Sequence, residues 1–287
     1  MDAVRATFKE EKTMVVQHNI TAMNSNRMLG ITTSTQAKST EKLSSGYKVN
    51  RAADDAAGLA ISEKMRRQIR GLTQASLNAQ DGISCVQTAE GALGEVHDML
   101  QRMNELINKA GTDTLQSTDR DYIQSELDAL TSEINRVSET TTFNEQMLLN
   151  GTFTGKKLQV GSESSSGNQI TIDIKSISAS QIGVGSIKVT GTHGSLARTM
   201  IDSVKRALIS VSRQRSDLGA VQNRLEHTVN NLNNVVENTT AAESQIRDTD
   251  MATEMVKYSN NNILAQAGQS MLAQANQSNQ GVLSLLG

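Results

Sequence analysis

The longest stretch of regular apolar spacing is Ala57 to Ala110, AGLAISEKMRRQIRGLTQASLNAQDGISCVQTAEGALGEVHDMLQRMNELINKA. Its apolar residues recur at steps of three, four or seven, the spacing of a coiled-coil seam: Met65, Ile69, Leu72, Ala79, Ile83, Val86, Leu93, Val96, Leu100, Met103 and Ile107. A helix of this span would be about 80 Å long at the usual rise per residue. A compact core cannot enclose such a helix, so its apolar stripe requires other long helices beside it.

Two later segments supply the same spacing. The first contains Ile123, Leu127, Leu130, Ile134 and Val137. It follows the break GTDTLQST, where Thr118 and Asp121 are expected to cap a new helix. The second contains Ile201, Val204, Leu208, Val211, Leu218, Leu225, Val229, Leu232 and Val236. The short loop between the first two helices predicts that they pack antiparallel to each other.

Between these helices the period changes to that of strands. LQV (158–160) is a short strand candidate, and Ile170, Ile172 and Ile174 alternate with polar residues. GSESSSGN (161–168) then reads as the loop of a hairpin, and Ile187 and Val189 suggest another strand.

Both ends of the chain are compatible with helix but only weakly apolar. The first such segment runs from Val16 to about Ser45, and the last from Asn260 to Gly287. Gly46 and Asn50 interrupt the chain after the first segment, and a joint at 239–259 is expected before the last. Segments this polar bury too little surface to become ordered alone.

The whole pattern predicts a mainly α protein. We expect an elongated antiparallel bundle of long helices with a small β-hairpin excursion and paired N- and C-terminal helices. Copies of the terminal pair, stacked together, could bury a continuous aliphatic surface, which predicts open-ended self-association. The residues expected to pack in that assembly are Ile20, Met23, Leu29, Leu43, Ile263, Leu264, Met271, Leu272, Leu283 and Leu286.

The composition argues against several classes of protein. The 287 residues suit one or two domains. Aromatic residues, at 2%, are too few for the usual walls of an enzyme pocket, and the net charge of −2 predicts no binding to nucleic acid or to a membrane. Cys85 is expected to be a buried packing thiol. No apolar run is long enough to span a bilayer, and the first residues lack a Sec signal.

One stretch carries a family resemblance. Leu43 to Ser84, LSSGYKVNRAADDAAGLAISEKMRRQIRGLTQASLNAQDGIS, is similar to the N-terminal signature of bacterial flagellin. VVQHNITAMNSNRML, LQRMNELINKAG and the C-terminal third also fit that family, whereas about 144–195 corresponds to its variable region. The resemblance divides the chain into 1–13 (a disordered extension or residues from an upstream start), 14–54 and 241–287 (inner-tube helices), 55–143 and 196–240 (rod helices) and 144–195 (variable β segment).

The resemblance implies a structural subunit of the filament that drives bacterial motility, located on the extracellular flagellum. It implies type III export without a cleaved signal peptide, no enzyme activity and no cofactor. The partners it implies are a homo-oligomeric helical filament, a flagellar secretion chaperone, the filament cap protein and the hook-junction protein. His18, His97, His193 and His227 are isolated, so no metal site is expected.

The resemblance also implies that the chain is a ligand of Toll-like receptor 5. The receptor-contact segment of the family resembles Gln101, Arg102, Glu105 and Leu106 here, with Glu126 at the matching place on the next helix. Arg102 and Leu106 are four residues apart, and we expect both to be exposed on one helix face. The alternative is a charged face that is solvated or that contacts the next subunit. Asn104 and Gly287 depart from residues that are common in the family, which are basic at both positions.

The main alternative function is a hook-filament junction protein, which shares terminal helices with flagellin. LAQANQSNQGVLSLL and the segment around Gly46 favour flagellin. A secreted hydrolase would need a catalytic motif within 144–195, and the sequence contains none there.

Overall fold

The computed structural model describes residues 18–191 and 193–286, with side chains described as far as Ser278. In this part of the chain the helices are α1 (Ile20–Ser45), α2 (Ala56–Ala110), α3 (Ser117–Thr140), α4 (Ser195–Arg247) and α5 (Met251–Leu286). Two antiparallel strand pairs lie between α3 and α4: β1 (Thr142–Phe143) with β2 (Gln146–Met147), and β3 (Lys156–Gln159) with β4 (Gln169–Ile172). The predicted mainly α fold with a small β hairpin and paired terminal helices is confirmed.

Contacts divide the chain into two compact units. The central unit is Met65–Ala241, and the terminal unit comprises the described residues of Met1–Lys64 and Ala242–Gly287. Residues 1–17, which include the expected extension at 1–13, lie outside the described residues, as does Gly287.

The core of the central unit is built from the predicted seams. Every seam residue of α2 is buried or half-buried, and so are those of α3 and α4. The α2 residues Leu93, Val96 and Leu100 have no exposed surface, and Val211 and Leu218 of α4 belong to the same apolar cluster. Burial of Cys85 is also confirmed, and desolvation raises the pKa of its thiol. The spacing of apolar residues therefore identified the packing faces correctly.

The start of α3 differs from the prediction. The helix begins at Ser117, and Gln116 precedes it as the capping residue, so Thr118 and Asp121 do not cap it. The carboxylate of Asp119 accepts a hydrogen bond from the Gln116 backbone N–H at 3.1 Å. Asp119 is the third helical residue, the place where an acid closes a capping box. The prediction was therefore wrong by a few residues, because several polar residues in this loop can serve as caps.

The β region is partly as predicted. The hairpin of β3 and β4 and its 161–168 loop are confirmed, but the ladder ends at Ile172, before Ile174. Ile187 and Val189 are buried without forming a strand. The side chain of Gln124 accounts for this difference: its amide donates to the Ile187 carbonyl at 3.0 Å and accepts from the Val189 N–H at 2.8 Å. These bonds replace those that a neighbouring strand would make.

The segment that connects α4 to α5 in the terminal unit is much shorter than the predicted joint at 239–259. α4 continues to Arg247 and α5 begins at Met251, so three residues separate the helices. Tyr47 and Asp248 form an antiparallel bridge there. The Arg247 guanidinium lies 4.7 Å from the centre of the Tyr47 ring and 2.8 Å from a carboxylate oxygen of Glu63. Local pairing therefore lets the joint be short.

Candidate functional site

The terminal helices α1 and α5 pack against each other through small residues. Ala22 on α1 and Ala265 and Ala275 on α5 are the apolar residues buried along this pair. A side-chain carbon at Gly268 would lie only 3.3 Å from Cδ1 of Leu29, so glycine suits this close approach. Small side chains let two helix backbones approach closely, but they bury little apolar area.

Two polar contacts fix the register of the pair. Near one end, Ser39 donates to the buried carboxylate of Glu254 at 2.7 Å. Near the other end, the Asn19 side-chain amide donates to the Ala275 carbonyl at 3.0 Å. Desolvation acts to raise the pKa of Glu254, but hydrogen bonds from Ser39 and Lys257 outweigh it and hold this pKa below its ordinary value. The carboxylate is therefore charged near neutral pH and keeps the helices in one alignment.

Several large apolar side chains of this pair are exposed. Ile20 and Met23 on α1 are each 67% exposed, and Ile263 on α5 is 64% exposed. Of the residues expected to pack in an assembly, these three with Leu264 and Met271 are exposed, whereas Leu29, Leu43 and Leu272 are half-buried. The side chains of Leu283 and Leu286 lie outside the described part. Small and polar residues are thus the most deeply buried in this pair, whereas several large aliphatic side chains remain exposed.

The second candidate site lies on α2 and α3 in the central unit. Arg102 donates from Nε to Glu126 at 2.9 Å and from Nη1 to Glu105 at 3.2 Å. The bonds to Glu126 and then Glu105 raise the pKa of Arg102 above its already high value. The structure therefore brings together three of the predicted receptor residues, and Gln101 is exposed next to them, 3.0 Å from His97 Nε2.

The expectation that Leu106 is exposed is wrong. Leu106 is 4% exposed and belongs to the main apolar cluster together with Ile123 of α3. It forms the floor of a groove of about 500 Å³, whose walls include Arg102, Glu105, Lys109, Leu115, Asp119, Tyr122, Ile123 and Glu126. The residue is covered because α3 packs over this turn of α2, which the α2 sequence alone does not disclose.

The groove has an apolar wall residue that the sequence reasoning missed. Tyr122 is 76% exposed and stands one helical turn before Glu126 on α3. The sequence could have indicated this exposure. Tyr122 does not belong to the apolar seam of α3, which begins at Ile123, so its side chain is expected to face away from the core.

Within the described residues there is no group of three or more histidine, cysteine or acidic side chains that could hold a metal ion. None of the described helices combines the length and apolar character needed to cross a membrane.

The fold and these surfaces define a mainly α protein whose terminal helices expose large aliphatic side chains. Comparisons with known proteins agree with that class. The pattern of the bacterial flagellin N-terminal helical region matches residues 16–154, and that of the C-terminal helical region matches residues 201–286.

Relatives align along nearly the whole chain. A flagellin of Halalkalibacterium halodurans is 52% identical over 95% of this chain and 100% of its own length. A flagellin of Bacillus subtilis is 48% identical over the same shares. The solved structure of Bacillus cereus flagellin is 27% identical, covers 54% of this chain and 88% of that one, and has a TM-score of 0.47.

The chain belongs to the bacterial flagellin family. It is therefore a structural subunit of the flagellar filament, a homopolymer outside the cell, and it is not an enzyme.

Proposed function

We propose that the chain polymerises through the outward aliphatic surface of α1 and α5 to form the inner tube of a motile flagellar filament. In this proposal 14–54 and 241–287 line the inner tube, 55–143 and 196–240 form the surrounding layer, and 144–195 faces the outside. The exposure of Ile20, Met23 and Ile263 is the observation that carries the proposal.

The physical reason is the hydrophobic effect. Covering one large aliphatic side chain contributes about 1.5–3 kcal/mol. In the single molecule these side chains remain in water, and the small residues between α1 and α5 provide little compensation. Neighbouring subunits would cover them, so assembly would supply the stabilisation that the isolated pair lacks.

The test is a double substitution on α5, Ile263→Ser with Met271→Ser. Both side chains are exposed, so the isolated protein should keep its helix content and unfolding midpoint. Seeded with sheared filaments, the variant should elongate at least tenfold more slowly than wild type, as scored by electron microscopy. The control is Ile209→Ser, which removes a 59% exposed side chain from the central unit. Normal elongation by the α5 variant would contradict the proposal.

The runner-up function, a hook-filament junction protein, predicts a different product from the same experiment. A filament subunit adds indefinitely and gives long filaments, whereas a junction protein would give short capped stubs. Filament length of the wild-type protein therefore separates the two.

Further partners belong to the same proposal. We infer export through the flagellar type III channel without a cleaved signal peptide, and binding of a secretion chaperone to α5 before export. The exposed Ile263 and Leu264 support this inference, because an exposed aliphatic surface promotes aggregation in the cytoplasm unless a partner covers it. We also infer that the filament cap and hook-junction proteins contact the same helices at the two filament ends. Loss of chaperone co-purification in the Ile263→Ser, Met271→Ser variant would support the inference, and unchanged co-purification would contradict it.

We also propose that the chain is a ligand of Toll-like receptor 5 through Gln101, Arg102, Glu105 and Glu126. The observation that supports this proposal is that Arg102 is half-exposed and is held in place between the carboxylates of Glu105 and Glu126. A preorganised arginine loses little side-chain entropy when it binds, which suits it to be a hot spot. Leu106 would act from beneath by supporting the α2 turn that carries Arg102.

The receptor proposal is tested with Arg102→Ala and Glu126→Ala in a reporter-cell assay and a direct binding assay. Each substitution should weaken binding at least tenfold. Arg136→Ala is the matched control, because Arg136 also pairs with an acid on α3 and is 60% exposed. Unchanged affinity in both groove variants would remove these residues from the site.

A further inference from the structure

Tyr122 forms a projecting aromatic side chain with acidic neighbours. It is 76% exposed on α3, and Asp119 lines the same groove. Asp121 precedes it in the sequence and is exposed. Glu126 also lines the groove but is already paired with Arg102. Exposure of an aromatic ring to water is unfavourable, and a partner surface that covered the ring would remove this cost. We call Tyr122 with Asp119 and Asp121 the tyrosine knob.

A pocket of complementary character lies elsewhere in the central unit. Its volume is about 310 Å³, within the range of pockets that bind small organic groups. Phe143, Phe153, Leu158 and Ile172 supply apolar walls. Two of the three phenylalanines of the chain therefore meet at one pocket. We call it the phenylalanine pocket.

The edge of the phenylalanine pocket is positively charged. Lys156 and Lys157 both line it, together with the single acid Asp81, which leaves a net charge of +1. The Lys156 ammonium lies 5.8 Å from the centre of the Phe153 ring. Neither lysine forms an ion pair within the part of the chain that the structure describes. Their charges are thus available to an acidic partner.

The knob and the pocket cannot meet within one molecule. Tyr122 lies near the start of α3, whereas Phe143 follows its end. At the rise of an α-helix the span between them is about 30 Å. A rigid helix holds them apart, so any docking of the knob into the pocket must join two molecules.

We propose that the tyrosine knob of one subunit inserts into the phenylalanine pocket of the next subunit in the filament. In this contact the Tyr122 ring packs against Phe143 and Phe153, and the acids of the knob lie near Lys156 and Lys157. The contact joins two different surfaces of the same molecule, so it can repeat without closing and builds a filament. This inference rests on the proposed polymerisation and adds a second contact, made by the central unit.

Cysteine cross-linking tests the contact directly. In a Cys85→Ala background, Ser125→Cys beside the knob and Gln146→Cys in the pocket lining are combined, so that Tyr122 and both lysines are kept. Filaments are assembled from seeds and the thiols are oxidised. The expected result is a ladder of covalent multimers on a denaturing gel, with none from the unassembled protein. The control pair is Ser125→Cys with Ile209→Cys, which joins the knob to an unrelated exposed position on α4.

The outcomes are distinguishable. Filaments without a ladder would overturn this contact while leaving polymerisation through α1 and α5 intact. A wild-type protein that forms no filaments would overturn the proposed function and this inference together. A ladder from the control pair as strong as that from the test pair would also overturn the contact, because it would show random collision.

Charge reversal gives an independent readout without cysteines. Lys157→Glu and Asp121→Lys should each slow elongation at least tenfold, because each places like charges together at the contact. Every subunit carries both surfaces, so the double variant should restore elongation to within about threefold of wild type. Failure of the double variant to recover, in a protein with wild-type helix content, would contradict the proposal.

Discussion

Arg120 is a charged residue with no exposed side-chain surface. Its guanidinium donates to three backbone carbonyls: that of Ala110 at 3.1 Å, that of Thr112 at 2.7 Å and that of Gly191 at 3.1 Å. These carbonyls belong to the end of α2, the following loop and the segment before α4. One side chain therefore links three parts of the central unit through hydrogen bonds.

Arg120→Met should destabilise the central unit by about 3 kcal/mol, because it leaves buried carbonyls without donors. Urea unfolding followed by circular dichroism measures the loss. Arg136→Met is the control on the same helix; Arg136 pairs with Glu133 on the exposed surface, so its loss should change the stability much less. Equal costs for the two variants would show that the Arg120 bonds do not support the fold.

Asp113 lies beside this cluster and links stability to pH. It accepts hydrogen bonds from the Gly194 N–H at 2.9 Å and from Arg198 at 2.8 Å. These contacts, the Gly194 bond first, hold the pKa of Asp113 below its ordinary value of 3.8. Arg120 and His193 also face this carboxylate. Because the native state favours the charged form, Asp113 stabilises it above pH 3.8 and loses that effect as pH falls through the lowered pKa.

Asp113→Asn should therefore lower the unfolding midpoint near neutral pH, and its difference from wild type should shrink as the pH falls well below 3.8. Thermal melts across acidic and neutral buffers measure this difference. The control is Asp202→Asn, a change at an exposed α4 position, which should leave the unfolding midpoint unchanged in both acidic and neutral buffers. A difference from wild type that does not depend on pH would mean that Asp113 acts only through its shape.

The helix α2 contains glycines that differ in what surrounds them. A side-chain carbon at Gly91 would meet nothing within 4 Å, whereas one at Gly82 would collide with the side chain of Leu158 in β3. Glycine inside a helix costs about 0.5–1 kcal/mol relative to alanine. Gly91 therefore weakens α2 without any packing benefit, and Gly82 permits β3 to approach the helix.

Gly91→Ala should stabilise the central unit by about 0.5–1 kcal/mol. Gly82→Ala should destabilise it by about 1 kcal/mol, because displacement of Leu158 outweighs the gain in helix propensity. The two variants change the same helix in the same way and differ only in packing. If both variants shifted the denaturant midpoint in the same direction relative to wild type, β3 would not pack tightly against α2 at Gly82.

Helices with a regular apolar spacing could be predicted from the sequence, because spacing at three and four residues reports a single buried face. That is why Leu93 and Leu218 were placed correctly in the core. The pair β1 and β2 could not be predicted, since it has two residues per strand and turns through Asn144 and Glu145, both with positive φ. Neither residue is glycine, so the usual sequence signal of such a turn is absent.

The candidate site could be predicted only in part. Arg102, Glu105 and Glu126 are neighbours by helical spacing and by packing of α3 on α2, and the structure joins them. The burial of Leu106 depends on where α3 crosses α2, which is a tertiary feature. Likewise, the outward direction of Ile20 and Ile263 follows from the small residues that bring α1 and α5 together. Weak amphipathicity in both helices concealed that direction.

The two units of the molecule differ in how stable each is expected to be by itself. The central unit, Met65–Ala241, is one continuous stretch with a large apolar cluster formed by α2, α3, α4 and the β region. The terminal unit pairs α1 with α5 and exposes several of its large apolar side chains. The central unit should therefore be stable alone, and removal of 260–287 should leave it folded while abolishing polymerisation.

Amide hydrogen exchange should report this difference directly. In the dilute single molecule, amides around Leu93 and Leu218 should exchange slowly, whereas those of α1 and α5 should exchange at least a hundredfold faster, because little apolar burial opposes their opening. In assembled filaments the amides of α1 and α5 should become protected as neighbours cover Ile20 and Ile263. The comparison uses one protein in two states, so sequence effects on intrinsic exchange cancel. Equal protection of all five helices in the dilute molecule would mean that the terminal pair is already stable, and that assembly does not supply its ordering free energy.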